Sequence, residues 1–215
     1  MFLISNGLVL SLFMGCRGPI GKSNEVAQST IFKKYIVERS ENSDELNFHA
    51  HFSYRGGNVG LELTEASKVV LNGEKMELKG YDYSLTQKLD PNVKEFTFSY
   101  TNNEGNILNN TVRIPEEFRF ASSDIKASKS QGLKLDWVGM PIRENERLVL
   151  SFDKERMKLI SYGSPFEFDR NDVSKLAPGS TKIQVTRTLE KEDADTNTTL
   201  IERYKLEDKV IAIEE

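Results

Sequence analysis

From residue 30 onward, apolar and polar residues alternate with a period of two. Phe48, Ala50, Phe52 and Tyr54 share one side, and His49, His51 and Ser53 share the other. Phe96, Phe98 and Tyr100 alternate with Thr97, Ser99 and Thr101, and Ile183, Val185 and Arg187 alternate with Gln184, Thr186 and Thr188. Successive side chains of a strand point to opposite faces, so each run predicts a strand with one core face and one wet face. Gly56-Gly57, Asn72-Gly73, Asn102-Asn-Glu-Gly105 and Pro178-Gly179 separate the runs as turns. Asn72-Gly73, between Val69-Val-Leu71 and Met76–Leu78, predicts a type I′ hairpin, whose two central residues both need positive φ. No window of helical length carries a 3.6-residue period, and Asp169–Leu176 has room for a helical turn. Short strands with frequent turns predict an all-β chain built as a sandwich or barrel.

An internal echo appears at an offset of 87 residues. Leu89-Asp-Pro91 falls on Leu176-Ala-Pro178, and Phe96 and Phe98 fall on Ile183 and Val185. Leu46, Phe48 and Ala50 fall on Leu133, Leu135 and Trp137, and Asn110-Thr111 falls on Asn197-Thr198. Alternating runs match one another easily, so the Leu-x-Pro and Asn-Thr identities carry most of the signal. The echo predicts two tandem antiparallel β-sandwich domains, over 30–120 and 121–215, each near the size of an immunoglobulin-like unit.

The first fifteen residues are uncharged and hold the apolar run Leu8–Met14, far short of the ~20 residues that span a bilayer. The run suits the apolar stretch of a signal peptide over 1–15. The chain's single Cys, Cys16, follows Gly15 at the end of it. Residues 17–29 are polar, with Gly18, Pro19 and Gly21, so 16–29 reads as a flexible tether.

The placement of Cys16 resembles the lipobox of bacterial lipoproteins, where the Cys after the cut receives lipid. Phe13 and Met14 are bulkier than that family prefers, and the start of the chain lacks its usual Lys or Arg. The other reading of Cys16 is a free thiol at the end of an ordinary signal peptide. The Leu176-Ala-Pro-Gly-Ser corner and Trp137 in an early strand of the second unit resemble immunoglobulin-like and fibronectin type III sandwiches. The paired Cys of true immunoglobulin domains are missing. Together these features resemble uncharacterised bacterial envelope lipoproteins with tandem sandwich domains. The resemblance implies lipidation at Cys16, a lipid-anchored place in the bacterial cell envelope, and contact with the membrane through that anchor. Two or more acyl chains hold a protein at a bilayer where one does so marginally.

Composition narrows the function classes. With 29 basic and 33 acidic residues the chain carries a formal charge of −4, which argues against a nucleic-acid partner. One Cys excludes an internal disulfide and any multi-Cys metal site. No Gly-x-Ser-x-Gly, His-Glu-x-x-His or phosphate loop is present. His49-Ala-His51 places two imidazoles on one strand face; a tetrahedral site needs at least one further protein ligand, and Phe48, Ala50 and Phe52 on the opposite face make the His face solvent-side. Asp193-Ala-Asp195-Thr-Asn197 has the opening spacing of a calcium loop. Thr198 and Tyr204 stand where the EF-hand needs Gly and Glu, so the segment reads as a charged hairpin tip. Tyr81 and Tyr83 alternate as strand residues, and aromatic alternation is more often core than ligand platform. The expectation is therefore no catalytic residue, no metal and no cofactor. The function expected is a non-enzymatic binding or structural module with another envelope protein or a glycan as partner. The alternative is an envelope glycan hydrolase that uses paired carboxylates.

Overall fold

A computed structural model describes residues 20–215 apart from 55, 65, 122–124, 144, 153–157 and 163–166. The signal-peptide reading and Cys16 lie outside the described residues. The chain is predominantly β. Its strands are β1 (Ile20–Lys22), β2 (Phe32–Ser40), β3 (Glu45–Tyr54), β4 (Val59–Glu62), β5 (Lys68–Leu71), β6 (Glu74–Lys75) and β7 (Glu77–Lys79). There follow β8 (Asp82–Lys88), β9 (Glu95–Thr101), β10 (Ile107–Arg113), β11 (Phe118–Phe120), β12 (Lys126–Ser128), β13 (Gly132–Lys134) and β14 (Trp137–Gly139). The last are β15 (Glu146–Phe152), β16 (Lys158–Tyr162), β17 (Glu167–Phe168), β18 (Gly179–Asp193), β19 (Thr198–Lys205) and β20 (Lys209–Glu214). A single helical turn, α1 (Arg170–Val173), precedes β18, and the Asp169 carboxylate caps it by accepting from the amides of Asn171 and Asp172.

The alternation of the sequence becomes two buried clusters. In β3, Leu46, Phe48, Ala50 and Phe52 are fully buried, while His49 and His51 lie on the outer face. A second sheet, in the order β10-β9-β5-β6, lies across β2 and β3. Between the two sheets Phe48 meets Phe96 at 4.7 Å, Tyr35 stacks on Phe98 at 4.7 Å and Phe52 meets Tyr100 at 4.8 Å. Each buried ring contributes roughly 1.5–3 kcal/mol of transfer free energy. This first cluster runs from Ile31 to Val112. The other, built on Leu148, Leu150, Phe152, Ile183, Val185 and Ile211, runs from Phe118 to Ile213.

One fourteen-stranded sheet runs past both clusters. Its link is β19, which pairs antiparallel with β18 and parallel with β2 over eight residues, from Thr198 opposite Lys33 to Lys205 opposite Ser40. Along β19, Leu200 packs against the first cluster and Tyr204 belongs to the second. The hairpin of β18 and β19 thus covers the edge that β2 would otherwise leave unpaired.

The turn expectations hold at Asn72-Gly73, with φ of 47° and 87°, and at residues 194–197, which close the β18–β19 hairpin. The segment expected as a tether differs from Ile20 on. There β1 pairs in parallel with β4. Ser23 is fully buried, its hydroxyl accepts from the Thr64 amide at 3.0 Å, and the Gln28 amide group donates to the Ser23 carbonyl at 2.7 Å. These polar side chains are spent on hydrogen bonds to the body, which composition alone does not reveal. The echo also stops short. The counterpart of β3 breaks into β13 and β14, which belong to different sheets.

Candidate functional site at the junction of the two cores

Arg187 is the residue around which the junction is built. It shares the inward face of β18 with Ile183, Val185 and Leu189, and it stands between Leu148 on β15 and Tyr204 on β19. Its register forces a cation into a core slot, where its side chain is 3% exposed. A buried charge needs partners, and Arg187 has them. Its Nη2 donates to Glu146 at 2.6 Å and to the Pro141 carbonyl at 3.1 Å, and its Nη1 donates to the Met140 carbonyl at 3.2 Å. Glu116 lies 3.6 Å from Nη2, and its other oxygen is held by Arg143. The Arg143 amide closes the ring by donating to Glu146 at 2.7 Å. The Phe118 ring sits 5.9 Å beneath the guanidinium.

Two cations and two carboxylates balance in this cluster. It fastens the crossing segment Pro115–Phe118 and the loop Met140–Arg143 to β18. Glu202 borders it from β19, and burial pushes its carboxyl above the ordinary range against the opposing pull of Lys191. The cavity among Glu116, Glu146, Arg187 and Glu202 is about 10 Å³, space for roughly one water and not for a sugar ring.

A larger cleft of about 580 Å³ opens on the other side of Phe118 and Tyr204. Arg39 near the end of β2 and Glu41, Asn42 and Ser43 of the turn after it line one side, and Glu117, just before β11, lines the other with Arg119 and Val138 of the β11–β14 ribbon. Arg39 pairs with Glu117 and lies 6.0 Å from the Tyr204 ring, while its Nε is buried without a partner. Asn42 takes a φ of 60°, which turns the chain sharply at the rim. Gly139 closes the floor. A Cβ there would stand 2.7 Å from the Glu117 carbonyl, so only glycine lets the ribbon approach. The cleft is mixed in polarity, with both signs of charge, and Val138 and Met140 are exposed beside it.

The residues singled out from sequence do not gather here. His49 and His51 lie on the outer face of the first sheet, where the His51 Nδ1 is 3.0 Å from Asp82. Tyr83 is core, and its hydroxyl accepts from the Leu63 amide at 2.8 Å; Tyr81 lies just outside β8. Asp193 is spent on its own turn, accepting from the Thr196 hydroxyl at 2.8 Å and the Asp195 amide at 3.1 Å. Trp137 is partly buried against the second cluster. Cys16 lies outside the described residues. Sequence reasoning missed the Arg187 cluster, although an Arg in phase with Ile183, Val185 and Leu189 was its visible signal. Comparison with models of protein families gives no match for this chain, and comparison with curated proteins gives none.

Proposed function

We propose that the protein is a lipid-anchored lipoprotein of the bacterial cell envelope that acts as a non-enzymatic binding module. In this reading Cys16 carries the lipid, and two immunoglobulin-like units, 30–120 and 121–215, present the cleft at their junction to another envelope protein or a glycan. The single observation that carries the anchor is the position of the only Cys, between an uncharged apolar run and a polar segment. The two separate buried clusters support the two units. The cleft supports binding, since its volume falls within the range of about 300–1,000 Å³ usual for ligand pockets.

The test labels cells with a palmitate analogue and compares wild type with Cys16→Ser. Label on the wild type alone, with the variant leaving the membrane fraction, is the expected result. Equal labelling defeats the anchor. A photo-crosslinker in place of Arg119, at the cleft wall, is expected to capture an envelope component that the same group in place of Lys182 does not. The hydrolase reading would place its paired carboxylates at Glu41 and Glu117, which line that cleft. It is separated by assay of cell-wall glycan cleavage with Glu41→Gln and Glu117→Gln.

A further inference from the structure

We propose that the outer face of β3 and β8 binds a divalent metal ion of the copper–zinc class through the imidazoles of His49 and His51, with Asp82 as the positioning residue behind His51. The inference is independent of the anchor and of the cleft.

Residues two apart on a strand share a face and lie about 7 Å apart along it, so two imidazoles can lean over the intervening Ala50 to one ion about 2 Å from each nitrogen. The fold adds a carboxylate behind one of the two imidazoles. Asp82 on β8 comes within 3.0 Å of the His51 Nδ1. A neutral ring in that contact donates from Nδ1 to the carboxylate, which leaves the Nε2 lone pair directed away from Asp82. This is the carboxylate–histidine arrangement that orients ligands and raises their basicity. Both side chains remain accessible, His51 at 31% and Asp82 at 50%.

A second observation falls on the same face. Ser84 stands directly across from His49, and its buried hydroxyl has no hydrogen-bond partner. A water on an ion held by His49 would satisfy it. On the next strand Glu77 stands across from Ser84. Among the described residues no three His, Cys, Asp or Glu side chains are gathered around one point, so the two imidazoles are the protein ligands and solvent fills the other positions, a weaker site than the tetrahedral one a third protein ligand would complete. Two neutral nitrogens and water suit copper(II) and zinc rather than magnesium or calcium, which require oxygen ligands. Lys34, across from His51, and Lys79, across from Asp82, repel any cation, so the ion is held by imidazole donation and not by charge.

The two histidines are the only ones in the chain, so their imidazole signals in a nuclear magnetic resonance spectrum have no competitors. Titrating the full chain with zinc chloride, and with copper(II) chloride, is expected to give one ion per chain and to move both imidazole signals together. His49→Ala and His51→Ala are each expected to weaken binding at least tenfold. Asp82→Asn is expected to weaken it by roughly ten- to a hundredfold and to change the tautomer of His51 read from its ring nitrogens. Circular dichroism is expected to leave all three variants folded, because the sites are on the outer face. His49→Gln serves if an alanine variant unfolds. Zinc and copper binding that survives in the double His variant, absence of binding in the wild type, or tighter binding of magnesium than of zinc would each overturn the proposal.

Discussion

The Arg187 guanidinium and the Glu146 carboxylate meet at 2.6 Å with side chains only 3% and 6% exposed. Removing one partner from such a pair leaves an uncompensated charge in the core and costs about 3–5 kcal/mol. Glu146→Ala is therefore expected to lower the urea midpoint sharply. The double replacement Glu146→Leu with Arg187→Leu is expected to regain more than half of that loss, because no buried charge then remains. A double variant as unstable as the single one would show that the pair is a net source of stability.

Tyr35 offers the opposite case. Its ring is fully buried and stacked on Phe98, but its hydroxyl has no partner, and burial holds its pKa far above the ordinary value. A buried unsatisfied polar group costs about 1–3 kcal/mol. Tyr35→Phe keeps the ring and removes the cost, so thermal unfolding is expected to show stabilisation of about 1 kcal/mol. Destabilisation would reveal a partner for the hydroxyl.

The ladder between β2 and β19 makes a claim about cooperativity. Trp137, the only Trp, packs against the second cluster, while Tyr35 and Tyr100 are buried in the first. Because β19 belongs to the sheet of both, Trp fluorescence and tyrosine near-ultraviolet circular dichroism are expected to report one coincident denaturant transition. Ile201→Pro, in the middle of β19, removes a backbone donor from a strand paired on both sides and is expected to separate the two signals. Separate transitions already in the wild type would mean that the ladder does not couple the clusters.

Acid stability carries the mark of Asp82. The His51 hydrogen bond, opposed by burial and aided by the charges of His51, His49 and Lys34, places its folded pKa below 3.8. Its contribution is present above the unfolded value and is lost as pH falls through the lower folded one. The side chain is half exposed, so screening keeps the effect below about 1 kcal/mol. Asp82→Asn is expected to flatten the fall in stability as the solution is acidified from pH about 5 to about 3. An unchanged slope would detach Asp82 from acid unfolding.

Strands with one dry face were legible because their period is local. The faces of β3, β9 and β18 follow directly from Phe48, Phe98 and Val185, and the Asn72-Gly73 turn follows from its φ requirement. The partner of each strand was not legible. Alternation says which way a side chain points and nothing about which edge meets which, so the parallel pairing of β2 with β19, 165 residues apart, left no trace. The Arg187 cluster was half legible. Its phase among Ile183, Val185 and Leu189 implied burial, but Glu116, Arg143 and Glu146 come from other elements and only the fold assembles them. Likewise His49 and His51 could be placed on the wet face, whereas Asp82 reaches them across a strand pairing that no local pattern encodes. Ser23 and Gln28 misled in the other direction, since polar residues satisfied by the body look the same as polar residues facing water.

If Cys16 carries lipid, the pairing of β1 with β4 limits how far the body can stand off from a bilayer. Ile20 lies four residues beyond Cys16, and a fully extended chain gains at most about 3.6 Å per residue. With Cys16 acylated, the first docked strand would stay within about 14 Å of the lipid attachment. A molecule so anchored would hug its membrane instead of fishing at a distance, and whatever it recognised would have to approach the lipid surface to be caught.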